Sequence, residues 1–154
     1  MCALRLSTGM REKMVSTLTI KELLDGGFMD IFTGSQPLTA DAVEPGVKIV
    51  RISSTSGTAA SDGLRFGTAL GGVLPITTPI WSGIVKTAGV AGWWRFYGTG
   101  GTSGVAGSAG TNGTAIRMDG NVGISGADLN LSHTNLALDS TLTIKTFSIT
   151  QPAE

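Results

Sequence analysis

The sequence predicts a mainly β protein: a single-domain antiparallel β-sandwich, jelly-roll-like, preceded by a short N-terminal helical segment. Three observations predict it. From Phe28 onward, short runs of β-branched and aromatic residues are separated by Gly, Ser, Pro and Asp clusters, the pattern of many short strands joined by turns. A length of 154 residues suits one domain with one sizeable core. The single cysteine, Cys2, leaves neither an internal disulfide framework nor a cysteine-rich zinc site to replace that core.

The helix signals all lie in residues 1–27, taken as an N-terminal helical arm ahead of a sandwich domain at 28–154. Ser7 or Thr8 can cap a turn running through Met10, Met14 and Val15. Thr19-Ile20-Lys21-Glu22 has the spacing of a capping box, and Gly26-Gly27 supplies a left-handed stop. Two helical turns are not stable alone in water, so Ile20, Leu23 and Leu24 must dock, either on the chain's own sheet or on a neighbouring subunit.

Strands are expected at Phe28–Thr33, Val47–Ser53, Leu64–Gly67, Ile80–Lys86, Ala91–Tyr97, Ala115–Asp119, Asp128–Ser132 and Leu142–Thr150. The first two flank a polar loop, GSQPLTADAVEPG, that carries Asp41 and Glu44. Val47–Ser53 is apolar on both faces, as a central or interfacial strand would be. In the last strand the apolar phase switches between Ile144 and Phe147, which predicts a bulge near Lys145-Thr146. In Gly92–Tyr97, a period of two sends Trp94 and Phe96 to the core with Ile116 and Met118. The opposite face then collects Trp93, Arg95, Tyr97, Arg117 and Asp119. Exposed, these would form an interface hot spot with cation–π stacking; the other reading is a face covered by a loop of the same chain. The glycine-rich loop at 98–114 has glycine at every third position from Gly101 to Gly113. It lacks the proline and the length of a collagen repeat and reads as a flexible hairpin loop or as one ordered against a partner.

Charge and chemistry narrow the function. Eleven basic and eleven acidic residues cancel, and no basic run exists to displace counterions from nucleic acid. Charged residues are 14% of the chain, against about 25% in an ordinary soluble domain, so a free monomer is poorly defended against association. The longest weakly polar stretch, Gly67–Pro79, falls short of a membrane span, and the first fifteen residues lack a secretory h-region. Folding in a host cytoplasm is the expectation. No catalytic set assembles. His133 sits in a Ser-His-Thr-Asn turn, and G-x-S-x-G, G-x-G-x-x-G and P-loop patterns are missing. Asp119–Ser125 imitates the start of a calcium loop without its later ligands. No enzyme activity, cofactor or metal is expected.

Taken in order, "ALRLSTGMREKM", "GGFMDIFTGSQPLTADAVEPG", "LRFG", "WSGIVKTAGVAGWWRFY", "RMDGNVGISGADLNLS" and "TIKTFSIT" resemble small structural virion proteins of tailed bacteriophages over nearly the whole chain. The resemblance implies a particle component, foremost a head decoration or cement protein. Its partners would be the major capsid protein and further copies of itself, as a homo-oligomer in the virion. A tail or collar subunit beside neighbouring tail proteins is the alternative within that class. A glycan- or receptor-binding sandwich, with Trp93 and Tyr97 on the floor of an open groove, is the alternative outside it. Candidate interface residues are Ile20, Leu23, Leu24, Trp93, Arg95, Tyr97 and Arg117.

Overall fold

The computed structural model describes residues 4–77, 80–99 and 115–151. Cys2 and all but the first two residues of the glycine-rich loop lie outside them. The described chain is mainly β and sandwich-like, with the elements β1 (Arg5–Leu6), α1 (Thr8–Ser16), α2 (Ile20–Leu24), β2 (Phe28–Thr33), β3 (Lys48–Ser54), a 3-10 turn (Ala60–Asp62), β4 (Val73–Pro75), β5 (Trp81–Ile84), β6 (Gly89–Tyr97), β7 (Arg117–Gly123), β8 (Leu129–Asn130), β9 (Asn135–Leu136), β10 (Thr141–Ile144) and β11 (Ser148–Thr150).

Both helices start as their sequences dictate. The Ser7 hydroxyl accepts from the Met10 amide at 3.2 Å and donates to the Ala115 carbonyl at 2.6 Å, so the cap of α1 also ties it to the start of β7. Thr19 and Glu22 form the capping box of α2, and Gly26 follows at φ +85°. Met10, Leu23 and Leu24 are fully buried in the same core as the strands, with Ile20 packed against it. Of the two readings, docking on the chain's own sheet is what the structure adopts. The segment is part of the domain rather than an arm beside it.

The larger sheet runs β1-β7-β6-β2-β3-β5-β10, with β8 added to β7 and β9 to β6; β4 and β11 pair separately. Among these pairs only β7–β8 is parallel. β3 pairs with β2 from Lys48 to Ile52 and with β5 at Ser53 and Ser54. Trp81 of β5 and Phe96 of β6 lie three strand spacings apart in this order, about 14 Å in a flat sheet. Their ring centroids are 6.1 Å apart, so the sheet curls until β5 faces β6. Phe66, Trp81, Phe96 and Phe147 fill the space between, and Trp94 meets Phe147 edge-on at 5.4 Å. As the period of two requires, Trp94 and Phe96 join Ile116 and Met118 in the core, with Phe96 directly opposite Met118. The Trp94 ring lies over Gly120, where a Cβ would stand 2.5 Å from it.

Two expectations are corrected. Leu64–Gly67 is not a strand; Leu64 and Phe66 make isolated bridges to Gly27 and Ile76, and the Gly67 amide reaches the Pro75 carbonyl at 2.8 Å, too few pairings to form a ladder. The phase switch at Lys145-Thr146 is not a bulge in one strand. The chain leaves β5 after Ile144, drops Phe147 into the aromatic cluster, and resumes as β11 against β4.

Candidate functional site

Trp93, Arg95, Tyr97, Arg117 and Asp119 share one face, as alternation predicts, but that face is not exposed. Trp93, Arg95 and Asp119 have 0% of their surface accessible, and Tyr97 and Arg117 are buried. With Leu23 and Leu24 in the core and Ile20 packed on it, the interface expected at these seven positions is covered by the chain itself. The physical reason is charge. A guanidinium enclosed this fully needs acceptors for its donors, and the sheet with its overlying loop supplies four to Arg95.

The first set of acceptors comes from register. β3 Arg51 stands opposite β2 Asp30, Asp30 opposite β6 Arg95, Arg95 opposite β7 Asp119, and Asp119 opposite β1 Arg5. Five strands thus carry one row of alternating charge, the favourable arrangement for directly opposed pairs. Arg51 binds Asp30 through Nε and Nη2, both at 2.7 Å, and Arg95 grips Asp119 in the same two-pronged way at 2.7 Å. Aromatic rings pad the row: Arg51 lies over Phe28 at 4.7 Å, Arg95 over Trp93 at 5.4 Å, and Trp93 stacks on Phe32 at 4.5 Å.

The second set comes from the loop at residues 34–46, which crosses this face as a strap. Arg95 Nη1 donates to the Ala42 carbonyl at 2.8 Å and to Glu44 Oε1 at 2.9 Å, and the Tyr97 hydroxyl donates to the same Oε1 at 2.8 Å. Arg5 donates to the Pro37 carbonyl, and Arg117 to the Ala40 carbonyl at 3.5 Å. At the far end Asp41 accepts from the Thr8 amide at 3.0 Å and from its hydroxyl at 2.7 Å, which pins the strap to α1. Three arginines against two aspartates leave the row one positive charge in excess, and Glu44 neutralises it.

These contacts set the acidities. Burial pushes the Asp119 carboxyl up against the pull of Arg95. Burial also favours the neutral form of Glu44, but bonds from its own amide, Tyr97 and Arg95 prevail and hold its carboxyl below the usual range. Asp41 is lowered likewise, with Thr8, Arg11 and Arg117 overcoming burial. Tyr97 is raised by burial and by its bond to Glu44. Glu44 and Asp41 therefore stay ionised and Tyr97 stays protonated near neutrality.

The Asn121 amide donates to Asp128 at 3.0 Å and the Asp128 amide to Asn121 at 2.8 Å, closing the 121–128 turn. Asp119 spends both oxygens on Arg95, and no group of three His, Cys, Asp or Glu side chains among the described residues could hold a metal. His133 is exposed, its Nδ1 3.1 Å from Ser132 Oγ. No helix among the described residues is long and apolar enough to cross a membrane. No family model, curated protein or solved structure matches the chain.

Sequence reasoning missed Asp30, Arg51, Arg5 and the roles of Asp41 and Glu44. A signal was present. Leu4-Arg5-Leu6, Met29-Asp30-Ile31, Val50-Arg51-Ile52 and Trp94-Arg95-Phe96 each place one charge between apolar residues whose side chains point the other way, and Met118-Asp119-Gly120 places one between an apolar residue and a glycine.

Proposed function

We propose that the protein is a non-enzymatic structural component of a virion, a head decoration or cement protein that binds the assembled capsid lattice and copies of itself. The observation that carries this reading is the inverted polarity of the strap. Glu44 and the carbonyls of Pro37, Ala40 and Ala42 face inward onto arginines and Asp41 onto Thr8, while Leu38 and Val43 stand 91% and 65% exposed. A loop fixed from beneath by charge-assisted bonds presents apolar side chains at little cost in ordering, which favours binding. Val15, on the exposed side of the α1 helix that Asp41 anchors, adds a third such group. The adhesive surface therefore belongs to the strap rather than to the Trp93 face beneath it. A cement protein stabilises a lattice by binding it in preference to free subunits, and many modest contacts repeated over a shell add through multivalency. The resemblance to virion proteins supports the same reading. The glycan alternative is set aside, because Trp93 and Tyr97 do not line an open groove.

A cosedimentation assay with purified shells tests the proposal, using wild type and the pair Leu38→Ser with Val43→Ser. Loss of binding by the doubly substituted protein, at unchanged melting temperature, is expected. Unchanged binding would remove the strap as the adhesive surface. Particle images placing the chain in a single ring on the tail axis would replace head decoration with the tail or collar role.

A further inference from the structure

The strap leaves and rejoins the sheet at one point. The Thr33 amide donates to the Val47 carbonyl at 3.0 Å and the Val47 amide donates to Thr33 Oγ1 at 2.9 Å. The two ends of the excursion are therefore pinned side by side, as in an Ω-loop. Just inside the pin stand Gly34 and Gly46, at φ +79° and +84°, a backbone region where glycine alone is at ease. Between these hinges the strap buries the small apolar side chains of Pro37 and Ala40 and is otherwise held by polar bonds, and Leu38 and Val43 gain nothing from its closure. The aromatic core lies against the opposite face of β6, so lifting the strap leaves that packing in place. Segments with few apolar contacts of their own open at lower free energy than the domain as a whole.

We propose that residues 34–46 are a latch: the strap lifts as a unit while the sandwich stays folded, and the uncovered Trp93, Arg95, Tyr97 and Arg117 receive an acidic peptide segment with a turn like that of the strap. The strap itself defines that ligand. It offers the face the carbonyls of Pro37, Ala40 and Ala42 and the carboxylate of Glu44, from a peptide that turns between Thr39 and Ala42 and directs its other carboxylate, Asp41, to Thr8. The excess positive charge of the Arg51–Asp30–Arg95–Asp119–Arg5 row calls for that carboxylate whether it arrives from the same chain or another. The latch stands independently of the virion reading.

Indole N–H exchange, followed by NMR on the full chain at neutral pH, tests both halves. The Trp93 indole donates to the Thr33 carbonyl at the neck of the strap at 3.2 Å, whereas Trp94 lies in the core. Lifting the strap is expected to open the neck around the first and to leave the second buried. The Trp93 proton is expected to exchange at least about tenfold faster than that of Trp94, and Glu44→Gln to quicken it about tenfold more without affecting Trp94. Equal rates at the two indoles, or equal acceleration of both by Glu44→Gln, would mean that only global unfolding uncovers the face and would overturn the latch. A synthetic peptide of residues 36–45, at millimolar concentration, is expected to slow Trp93 exchange in the Glu44→Gln protein, and the same peptide carrying Glu44→Gln to leave it unchanged. Identical behaviour of the two peptides would overturn the acidic-segment half.

Discussion

Replacing Arg95 with methionine isolates the charged row from the rest of the fold. Arg95 has no accessible surface, and its guanidinium makes four bonds: two to Asp119, one to Ala42 and one to Glu44. Methionine fills similar length but leaves Asp119, itself fully buried, without its principal cation. Removing one partner of a buried pair costs about 3–5 kcal/mol. In a domain of this size each kcal/mol shifts the melting temperature by about 2–4 °C, so a fall of about 6–20 °C is expected. Replacing both partners, Arg95→Met with Asp119→Leu, removes the uncompensated charge. Because apolar substitutes for a buried pair are often near neutral, most of the loss should return. Glu44 does not repeat the problem, since its side chain is partly exposed and water can solvate it. Thermal melts and urea titrations of the two variants, read by circular dichroism, supply the comparison. A single variant within about 1 kcal/mol of wild type, or a double variant no more stable than the single, would refute the account of the row as a mutually dependent ion network.

Three further outcomes are expected. Gly120→Ala places a methyl group 2.5 Å from the Trp94 ring; overpacking of this kind costs about 1–3 kcal/mol, and a urea midpoint equal to that of wild type would show that Trp94 can move aside. Acid should loosen the strap, because Glu44 and Asp41 both have lowered folded-state pKa values. Their contribution is complete above the unfolded values of about 4.3 and 3.9 and is lost as pH falls through the lowered folded ones. Asp119 works in the opposite sense, since burial raises its carboxyl and proton uptake there favours the folded form. The Glu44 contribution should therefore be lost toward pH 3, so that from pH 7 to pH 3 wild type loses stability relative to Glu44→Gln; parallel curves would exclude Glu44 as a source. Thr19→Ala removes the capping box of α2 and should cost about 0.5–2 kcal/mol in chemical denaturation.

Much of the fold was legible because its signals are local. The capping box at Thr19–Glu22 needs only four consecutive residues. β2 falls at its expected Phe28–Thr33, since a β-branched and aromatic run between glycines admits few other conformations. The assignment of Trp94 and Phe96 to the core followed from the two-residue period alone. The end of the chain shows the limit: the phase switch after Ile144 was visible, but a bulge and a crossing to a second sheet give the same pattern. β4, with three residues, and β9, with two, carry too little pattern to be seen and exist because β11 and β6 offer edges to them.

Alternation also grouped Trp93, Arg95, Tyr97, Arg117 and Asp119 on one face, and that grouping needed nothing beyond the chain itself. Whether the face met solvent, a partner or its own chain depended on residues 34–46, between fifty and eighty positions away in sequence. Charge in a strand has no preference for inside or outside until its counterion is placed, and the counterions here arrive through strand register and a folded-back loop. Local chemistry therefore set the elements and their apolar faces. The three-dimensional arrangement decided that five isolated charges form one row, buried at Asp30, Arg95 and Asp119, and that a strap closes over it.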